Sequence, residues 1–217
     1  MRAFSNRTDA GQRLAPLLEY LRDAHPVVMA IPRGGVPVAY EVARFLDAPL
    51  DLVIVRKLGY PPQPEVAVGA IGEGGVRVMN SEFGAGWITN HQLRGVESRE
   101  RAELDARVKR WRMQDRVDPA GRTVIVVDDG VATGSTAEAA CRVMHELGAS
   151  RVVLAVPVCP ESAIDRLPSA DDVISLYTPA VFFAVGEYYS DFRQTQDDEV
   201  TAILGLARHP HGDEAGE

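Results

Sequence analysis

Short apolar segments alternate with helix-like segments over most of the chain. Two strand-length runs, Val27–Ile31 and Leu50–Arg56, flank the stretch "GVPVAYEVARFL", whose spacing predicts a helix. The same order returns as a run at Val124–Val127, a predicted helix over Thr136–Leu147 and a run at Val152–Val156. Apolar strands separated by helices are typical of βαβ units around a buried parallel sheet. The pattern therefore predicts an α/β fold, with a Rossmann-like parallel sheet flanked by helices.

Three further segments are predicted from the spacing of their apolar residues. Leucines at helical spacing predict a helix over Gly11–Asp23. Short apolar runs indicate further strands at Asp172–Leu176 and Val181–Val185. These elements would widen the sheet and add to its helical cover.

A segment rich in proline and glycine, Leu58–Asn80, interrupts the alternation. Its first part is predicted to be a loop, and its second part, "VAVGAIGEGGVRV", a hairpin that turns at Gly74-Gly75. Long loops inside compact domains often serve as lids. We therefore expect a lid over residues 57–80, mobile from Leu58 to about Ala67.

A second interruption, Thr89–Arg112, is dense in arginine and glutamate. It predicts a solvated helix with i,i+4 pairs such as Glu97–Arg101 and Glu103–Arg107. The whole pattern indicates one domain over residues 1–208, with a core at about 25–160, a helical insert at about 86–115, and a disordered tail at 209–217.

Composition and charge narrow the classes of function. A net charge of −8 argues against a general nucleic-acid-binding surface. The N-terminus has no apolar core, and no apolar run approaches the roughly 20 residues needed to span a bilayer. Cys141 and Cys159 are isolated, which favours a reducing compartment. We expect a cytoplasmic protein with neither nucleic-acid nor membrane partners.

The stretch "VIVVDDGVATGSTAEAA" carries the main candidate site. A predicted strand ends in Asp128 and Asp129, the place where open α/β sheets bind ligands. The small residues that follow let backbone N–H groups converge on an anion, and a helix N-terminus adds a favourable dipole. No lysine follows the last glycine, so the loop is not a Walker A motif. Carboxylates beside a phosphate loop suit a sugar phosphate, whereas a capped helix after an Asp-ended strand is the plainer alternative.

This stretch closely resembles the phosphoribosyl pyrophosphate (PRPP) motif of type I phosphoribosyltransferases. The resemblance implies their fold, including a flexible lid loop and a small hood or insert. In that family the acidic pair holds the ribose 2′- and 3′-hydroxyls, which assigns that role to Asp128 and Asp129. The loop binds the 5′-phosphate, a role that falls here to Ala132, Thr133, Gly134, Ser135 and Thr136.

Two other stretches resemble parts of the same family. "AIPRGGVPVA" is similar to its pyrophosphate loop and implies donor binding by Arg33, Gly34 and Gly35; a plain turn with a surface arginine is the alternative. "VRKLGYPPQPE" stands where the family's lid begins. There Arg56 and Lys57 would meet the leaving pyrophosphate, with Glu65 as a proton acceptor or merely a solvated carboxylate.

The stretch "FFAVGEYYSDFRQ" resembles a segment of hypoxanthine–guanine phosphoribosyltransferases, with a shorter spacing after its glycine. By that resemblance Phe183 would stack on a purine, Asp191 would lie near the metal and Arg193 would contact pyrophosphate. The alternative for Phe183 is core packing.

The resemblance as a whole implies Mg²⁺-dependent transfer of a phosphoribosyl group from PRPP to a nitrogen acceptor, a nucleobase-like heterocycle, with release of pyrophosphate. Nucleotide salvage and a homodimer would fit such an enzyme. Its catalytic residues would be Arg33, Lys57, Glu65, Asp128 and Asp129. The alternatives are a PRPP-sensing regulatory protein without catalysis and a sugar-phosphate hydrolase.

Overall fold

The structure, a computed structural model, describes residues 3–79, 88–111 and 116–208. Within these ranges the strands are β1 (Val27–Ala30), β2 (Leu50–Leu52), β3 (Val55–Tyr60), β4 (Gln63–Gly72), β5 (Arg77–Met79), β6 (Thr123–Val127), β7 (Arg151–Val158) and β8 (Asp172–Tyr177). The α-helices of the same ranges are α1 (Arg7–Leu14), α2 (Gly35–Leu46), α3 (Asn90–Trp111), α4 (Ser135–Glu146), α5 (Glu161–Ile164) and α6 (Asp197–Arg208).

Five parallel strands form the central sheet, in the order β2-β1-β6-β7-β8. The predicted α/β fold is confirmed. Alternate residues of each strand face opposite layers, so the sheet builds two cores. Val28 and Ile125 lie beside each other and pack with α1, α2 and α6, whereas Val124 and Val126 pack with α4. Residues Val124–Val127 are fully buried, as expected for a strand covered on both faces.

The predicted helix at Gly11–Asp23 is present but changes type along its length. Asn6 caps α1, its side-chain oxygen accepting a hydrogen bond from the Asp9 N–H at 2.9 Å. From Ala15 to Ala24 the chain continues as a 3₁₀-helix, starting beside Pro16, which has no N–H to donate. Leu14, Leu18 and Leu21 are buried in the core, whereas Leu17 is exposed.

The loop predicted at the start of Leu58–Asn80 is wrong for the described residues, whereas the lid over residues 57–80 stays a prediction. β3 and β4 form an antiparallel hairpin through a turn at Pro61-Pro62, and β5 extends this second sheet. Pro61 and Pro62 sit in the turn, where no ladder hydrogen bond is lost. The predicted hairpin at Gly74-Gly75 is confirmed, since the chain turns there between β4 and β5.

Two other strand predictions also need correction. The run Leu50–Arg56 is not one strand, because the chain leaves the parallel sheet after Leu52 and enters the second sheet at Val55. Val181–Val185 forms no strand; Val181 is 73% exposed, and a 3₁₀ turn begins at Val185. The run at Asp172–Leu176 is confirmed as β8.

The predicted insert helix is present as α3, but it is not simply solvated. Glu97 and Arg101 form the predicted pair at 3.2 Å. Among the described side chains, no ion pair within 4.0 Å joins Glu103 to Arg107, so that predicted pair is wrong. Leu104 and three other apolar residues of α3, namely Leu93, Val96 and Trp111, are buried.

Some predictions lie outside the described residues: the tail at 209–217, residue 80 of the lid, and residues 86–87 and 112–115 of the insert. None of the helices in the described ranges is long and apolar enough to cross a membrane.

Candidate functional site

The aspartate pair lies at the carboxyl end of β6, the central strand of the parallel sheet. Asp128 accepts a hydrogen bond on Oδ1 from the backbone N–H of Asp129 at 2.8 Å. Asp129 accepts two hydrogen-bonding contacts on Oδ2 from the Arg7 guanidinium, at 2.8 Å from Nε and 2.7 Å from Nη2. The buried Tyr189 hydroxyl donates to the backbone oxygen of Asp129 at 2.6 Å. The N-terminal helix and a C-terminal segment therefore both fix Asp129 in place.

Burial raises the pKa of both carboxyls. For Asp128 burial is the larger cause and the Asp129 charge the second, and together they hold its pKa well above the ordinary value. Burial also raises the pKa of Asp129, while Arg7 opposes the shift. Asp128 is therefore the member of the pair that holds a proton more readily.

The raised pKa predicts that Asp128 costs stability at neutral pH. The folded chain keeps the proton on Asp128 to higher pH than the unfolded chain does, so stability falls as pH rises above the unfolded pKa of about 3.9. Asp128→Asn removes this cost, and its amide oxygen can still accept the Asp129 N–H. We expect a higher Tm at pH 7, by roughly 2–4 °C for each kcal/mol recovered, and no gain below about pH 4.

Thermal unfolding at pH 7 and pH 4 measures this difference. Asp105→Asn is the control, since Asp105 is exposed on α3 and should show no comparable pH-dependent gain. A Tm for Asp128→Asn that is lower at pH 7, or raised equally at both pH values, would contradict the assigned electrostatics.

The loop from Gly130 to Gly134 leads from the aspartates into α4. Gly134 has φ +85°, a backbone conformation that favours glycine, and α4 begins at the next residue. The first N–H groups of a helix have no partner inside it, so they remain available to an anion. The hydroxyl oxygens of Thr133 and Ser135 lie 3.4 Å apart, and Thr136 is exposed. This geometry suits the predicted phosphate loop.

Two glycines allow the loop between β1 and α2 to pass directly against the aspartate pair. A Cβ atom on Gly34 would lie 2.1 Å from Oδ2 of Asp129, and one on Gly35 would lie 2.5 Å from the backbone oxygen of Val127. The peptide bond from Pro32 to Arg33 is cis. The predicted pyrophosphate loop and the predicted ribose-binding pair are thus adjacent in space.

Asp197, at the start of α6, ties this loop to the end of α3. Its Oδ1 lies 3.5 Å from Nη1 of Arg33 and accepts a hydrogen bond from Trp111 Nε1 at 3.2 Å. Its Oδ2 accepts one from Arg110 at 2.6 Å. Sequence reasoning gave Asp197 no role.

Two adjoining cavities surround these elements. The larger has a volume of about 560 Å³, and its polar lining includes Arg56, Lys57, Arg99, Glu100, Asp128 and Thr136. The second has a volume of about 510 Å³, and its lining includes Arg7, Arg33, Gly34, Asp129, Phe192 and Asp197. Pro32 and Arg107 line both. Both volumes lie within the range of small-molecule sites.

Helix α3 supplies charged groups to these cavities that the sequence analysis missed. Glu100 accepts two hydrogen bonds from Arg56 on its Oε2, at 2.6 and 2.9 Å. A signal was present: residues 96, 100, 104, 107 and 111 recur on one helical face, and Glu100 and Arg107 stand there between apolar residues. Charged residues inside an apolar stripe indicate groups that face a site.

The structure does not bring the predicted acceptor-binding residues to these cavities. Phe183 is 80% exposed and lines neither of the two, which also excludes core packing for it. Asp191 and Arg193 form an ion pair at 2.6 Å, which lowers the pKa of Asp191 to about 2. They line a third cavity of about 490 Å³, next to Arg7. Phe192 does line the second cavity, and the centre of its ring lies 4.1 Å from the Arg7 guanidinium carbon.

Arg56 and Lys57 lie on strand β3 rather than in a loop, and both line the larger cavity. Glu65 lies on strand β4, so its placement in a loop is wrong; its side chain is outside the described part of the structure.

An acidic pair, a hydroxyl-rich loop and a glycine turn thus lie together at one edge of the parallel sheet. The sequence family described as the phosphoribosyl transferase domain matches residues 9–192, and the chain belongs to this family. The α/β fold is that of the type I phosphoribosyltransferases.

Individual relatives agree with this assignment. Proteins of two Mycobacterium tuberculosis strains, CDC 1551 and H37Rv, both named "Putative phosphoribosyl transferase", are each 50% identical over 219 residues, covering 100% of this chain and 49% of their own length. The chain therefore spans about half the length of the curated relatives it matches. The crystal structure of TT1426 from Thermus thermophilus is similar with a TM-score of 0.88 and 45% identity, over 94% of this chain and 98% of that one.

Proposed function

We propose that the chain transfers a phosphoribosyl group from PRPP to a nitrogen acceptor and releases pyrophosphate. The observation that carries this proposal is the packing of the Gly34-Gly35 turn against Asp128 and Asp129, beside the loop that begins α4. A pyrophosphate loop, a hydroxyl-binding pair and a 5′-phosphate loop would then lie around one ligand. PRPP carries a pyrophosphate, two free hydroxyls and a 5′-phosphate on a single ribose.

The reaction needs little covalent chemistry from the protein. The bond from the anomeric carbon to the pyrophosphate oxygen breaks, a bond to the acceptor nitrogen forms, and the acceptor loses a proton. Charge develops on the leaving pyrophosphate, and Arg33, Arg56 and Lys57 would stabilise it. The aspartate pair would hold the ribose hydroxyls, with Oδ1 of Asp129 still able to accept while Arg7 occupies Oδ2.

The donor set at the site fits a magnesium ion held largely by the substrate. Mg²⁺ is usually bound through one or two carboxylates plus substrate phosphates. Within the described ranges no cluster of three or more His, Cys, Asp or Glu forms a metal cage, so PRPP oxygens and Asp128 would hold the ion. Once bound, it would neutralise charge on the pyrophosphate. Asp191 is a weaker candidate ligand, because Arg193 engages its carboxylate and it lines neither of the two main cavities.

The acceptor is proposed to bind in the larger cavity, between β3 and α3. That cavity adjoins Asp128 and combines apolar walls, such as Val55 and Val96, with the polar Glu100. A planar nitrogen heterocycle suits such a slot, whereas the exposed Phe183 gives little support to the stacking role predicted for it. Cys141 and Cys159 are buried free thiols, which supports a cytoplasmic location for this activity. Transfer to a nucleobase would place the activity in nucleotide salvage.

The test is a screen for acceptor-dependent pyrophosphate release. The protein is incubated with PRPP and Mg²⁺ together with purine bases, pyrimidine bases or non-aromatic amines. We expect at least one acceptor to raise pyrophosphate release above the rate without acceptor. Release without any acceptor would favour hydrolysis instead.

A PRPP-sensing role without turnover is the second candidate. The Arg56–Glu100 ion pair favours it, because Arg56 would stabilise a leaving pyrophosphate less well while Glu100 neutralises its charge. Tight PRPP binding with no pyrophosphate release from any acceptor class would support this role over transfer.

A further inference from the structure

We infer that Arg107 of helix α3 binds the pyrophosphate group of the donor, which makes the helical insert part of the donor site. This inference rests on the proposed function and extends it to a residue outside the PRPP-motif resemblance. Arg107 lines both of the main cavities, and so stands where they join.

Three arginines lie near this junction, and carboxylates neutralise their charges to different degrees. Arg56 is paired with Glu100 at 2.6 Å, and Arg33 lies 3.5 Å from Asp197. For Arg107, no carboxylate among the described residues lies within 4.0 Å of the guanidinium. Of the three, Arg107 is therefore the arginine whose charge an added anion would balance most directly.

The surroundings of Arg107 raise the cost of leaving it without an anion. Burial lowers the pKa of its guanidinium, and the charges of Arg56 and Arg33 lower it further, against the opposing effects of Glu103 and Asp197. Arginine nevertheless stays protonated at neutral pH. A multiply charged anion between these guanidiniums would relieve their repulsion and recover the desolvation cost.

The chemistry of arginine favours a phosphate oxygen as the partner. The guanidinium presents a planar set of donors that pairs two oxygens at once. Arg107 lines the cavity that contains Arg33 and Gly34 of the predicted pyrophosphate loop, and also the one that contains Thr136 of the predicted 5′-phosphate loop. The charges of Arg56 and Arg33, two of the cations proposed to stabilise the pyrophosphate, both act on Arg107, which favours the pyrophosphate side of the donor. An anionic group on the acceptor is the other source of the same chemistry, and the experiment separates the two.

The experiment compares Arg107→Gln with Lys109→Gln by calorimetry, using inorganic pyrophosphate and ribose 5-phosphate as separate probes with Mg²⁺. Lys109 is exposed on the same helix and lines neither cavity. Lys109→Gln therefore removes one positive charge, as Arg107→Gln does, but away from the site. We expect Arg107→Gln to weaken pyrophosphate binding by about 10- to 100-fold. Ribose 5-phosphate should change by less than about threefold, and Lys109→Gln should change neither. Arg107→Lys should give an intermediate loss, since it keeps the charge without the planar donors.

The outcomes separate this inference from the proposed function. Normal pyrophosphate affinity in a folded Arg107→Gln variant, with the parent protein binding PRPP, overturns the role of Arg107 alone. A raised KM for the acceptor in that variant would then place the acceptor's anionic group at Arg107. A parent protein that binds neither PRPP nor pyrophosphate overturns both.

Discussion

Gly34→Ala is expected to reduce PRPP affinity by about 100-fold or more, because the added methyl group meets the aspartate pair. Its Cβ would lie 2.1 Å from Oδ2 and 2.6 Å from Cγ of Asp129, so either the carboxylate or the loop must move. Gly34 itself has φ −60° and ψ −35°, which alanine adopts freely. Any loss therefore comes from the lost close approach and not from backbone strain. Calorimetric titration with PRPP and Mg²⁺ measures the change.

Gly95→Ala provides the matched control for this substitution. A Cβ on Gly95 meets nothing within 4 Å, and the residue lies inside α3, where alanine is the better helix former. This variant should bind PRPP as the parent does and be slightly more stable. Unchanged PRPP affinity in Gly34→Ala, with an unchanged Tm, would show that the glycine turn does not contact the donor site in the way described.

Replacing both aspartates by asparagine is expected to weaken PRPP binding by more than about 100-fold. Each charge-assisted hydrogen bond to a ribose hydroxyl contributes roughly 1.5–3 kcal/mol, so losing two exceeds a 100-fold change. The two substitutions act on stability in opposite directions. Asp128→Asn relieves a buried charge, whereas Asp129→Asn leaves the Arg7 guanidinium without its carboxylate.

The single variants separate binding from stability in this pair. Asp128→Asn should bind PRPP poorly while melting higher than the parent at pH 7, which no loss of folding can imitate. The exposed Asp105→Asn should change neither property. A folded double variant with the PRPP affinity of the parent would exclude the aspartates from hydroxyl binding.

The central sheet and the donor-site loops were predictable because their signals are local. The apolar, β-branched run Val124–Val127 indicates a strand buried on both faces. The aspartate pair and the loop of small residues follow it directly in the sequence. The helix at Thr136–Leu147 follows from spacing alone and appears as α4. Local patterns of this kind survive folding because packing reinforces them.

The hairpin of β3 and β4 was not predicted, because the prolines and glycines at the start of this segment favour a loop. Pro61 and Pro62 occupy only the turn, and the flanking residues alternate well enough for Leu58, Val68 and Ile71 to join the main core. The chain between β2 and β3 also changes sheets within two residues, which an unbroken apolar run does not reveal.

The contacts made by the site residues could not be predicted from the sequence, because each contact joins segments that are far apart in the chain. Arg7 contacts Asp129 across 122 residues, and Tyr189 reaches the same residue across 60. Nothing in either local sequence specifies such a contact. The charged residues of α3 were different, since Glu100 and Arg107 could have been found from their place in an apolar stripe.

Comparative titration of three ligands tests the central claim, that these elements form one site for PRPP. The protein is titrated in the presence of Mg²⁺ with PRPP, ribose 5-phosphate and inorganic pyrophosphate. If the glycine turn, the aspartate pair and the phosphate loop act on one molecule, PRPP should bind at least about 10-fold more tightly than either fragment, because it engages all three. PRPP that binds no more tightly than ribose 5-phosphate would contradict the account.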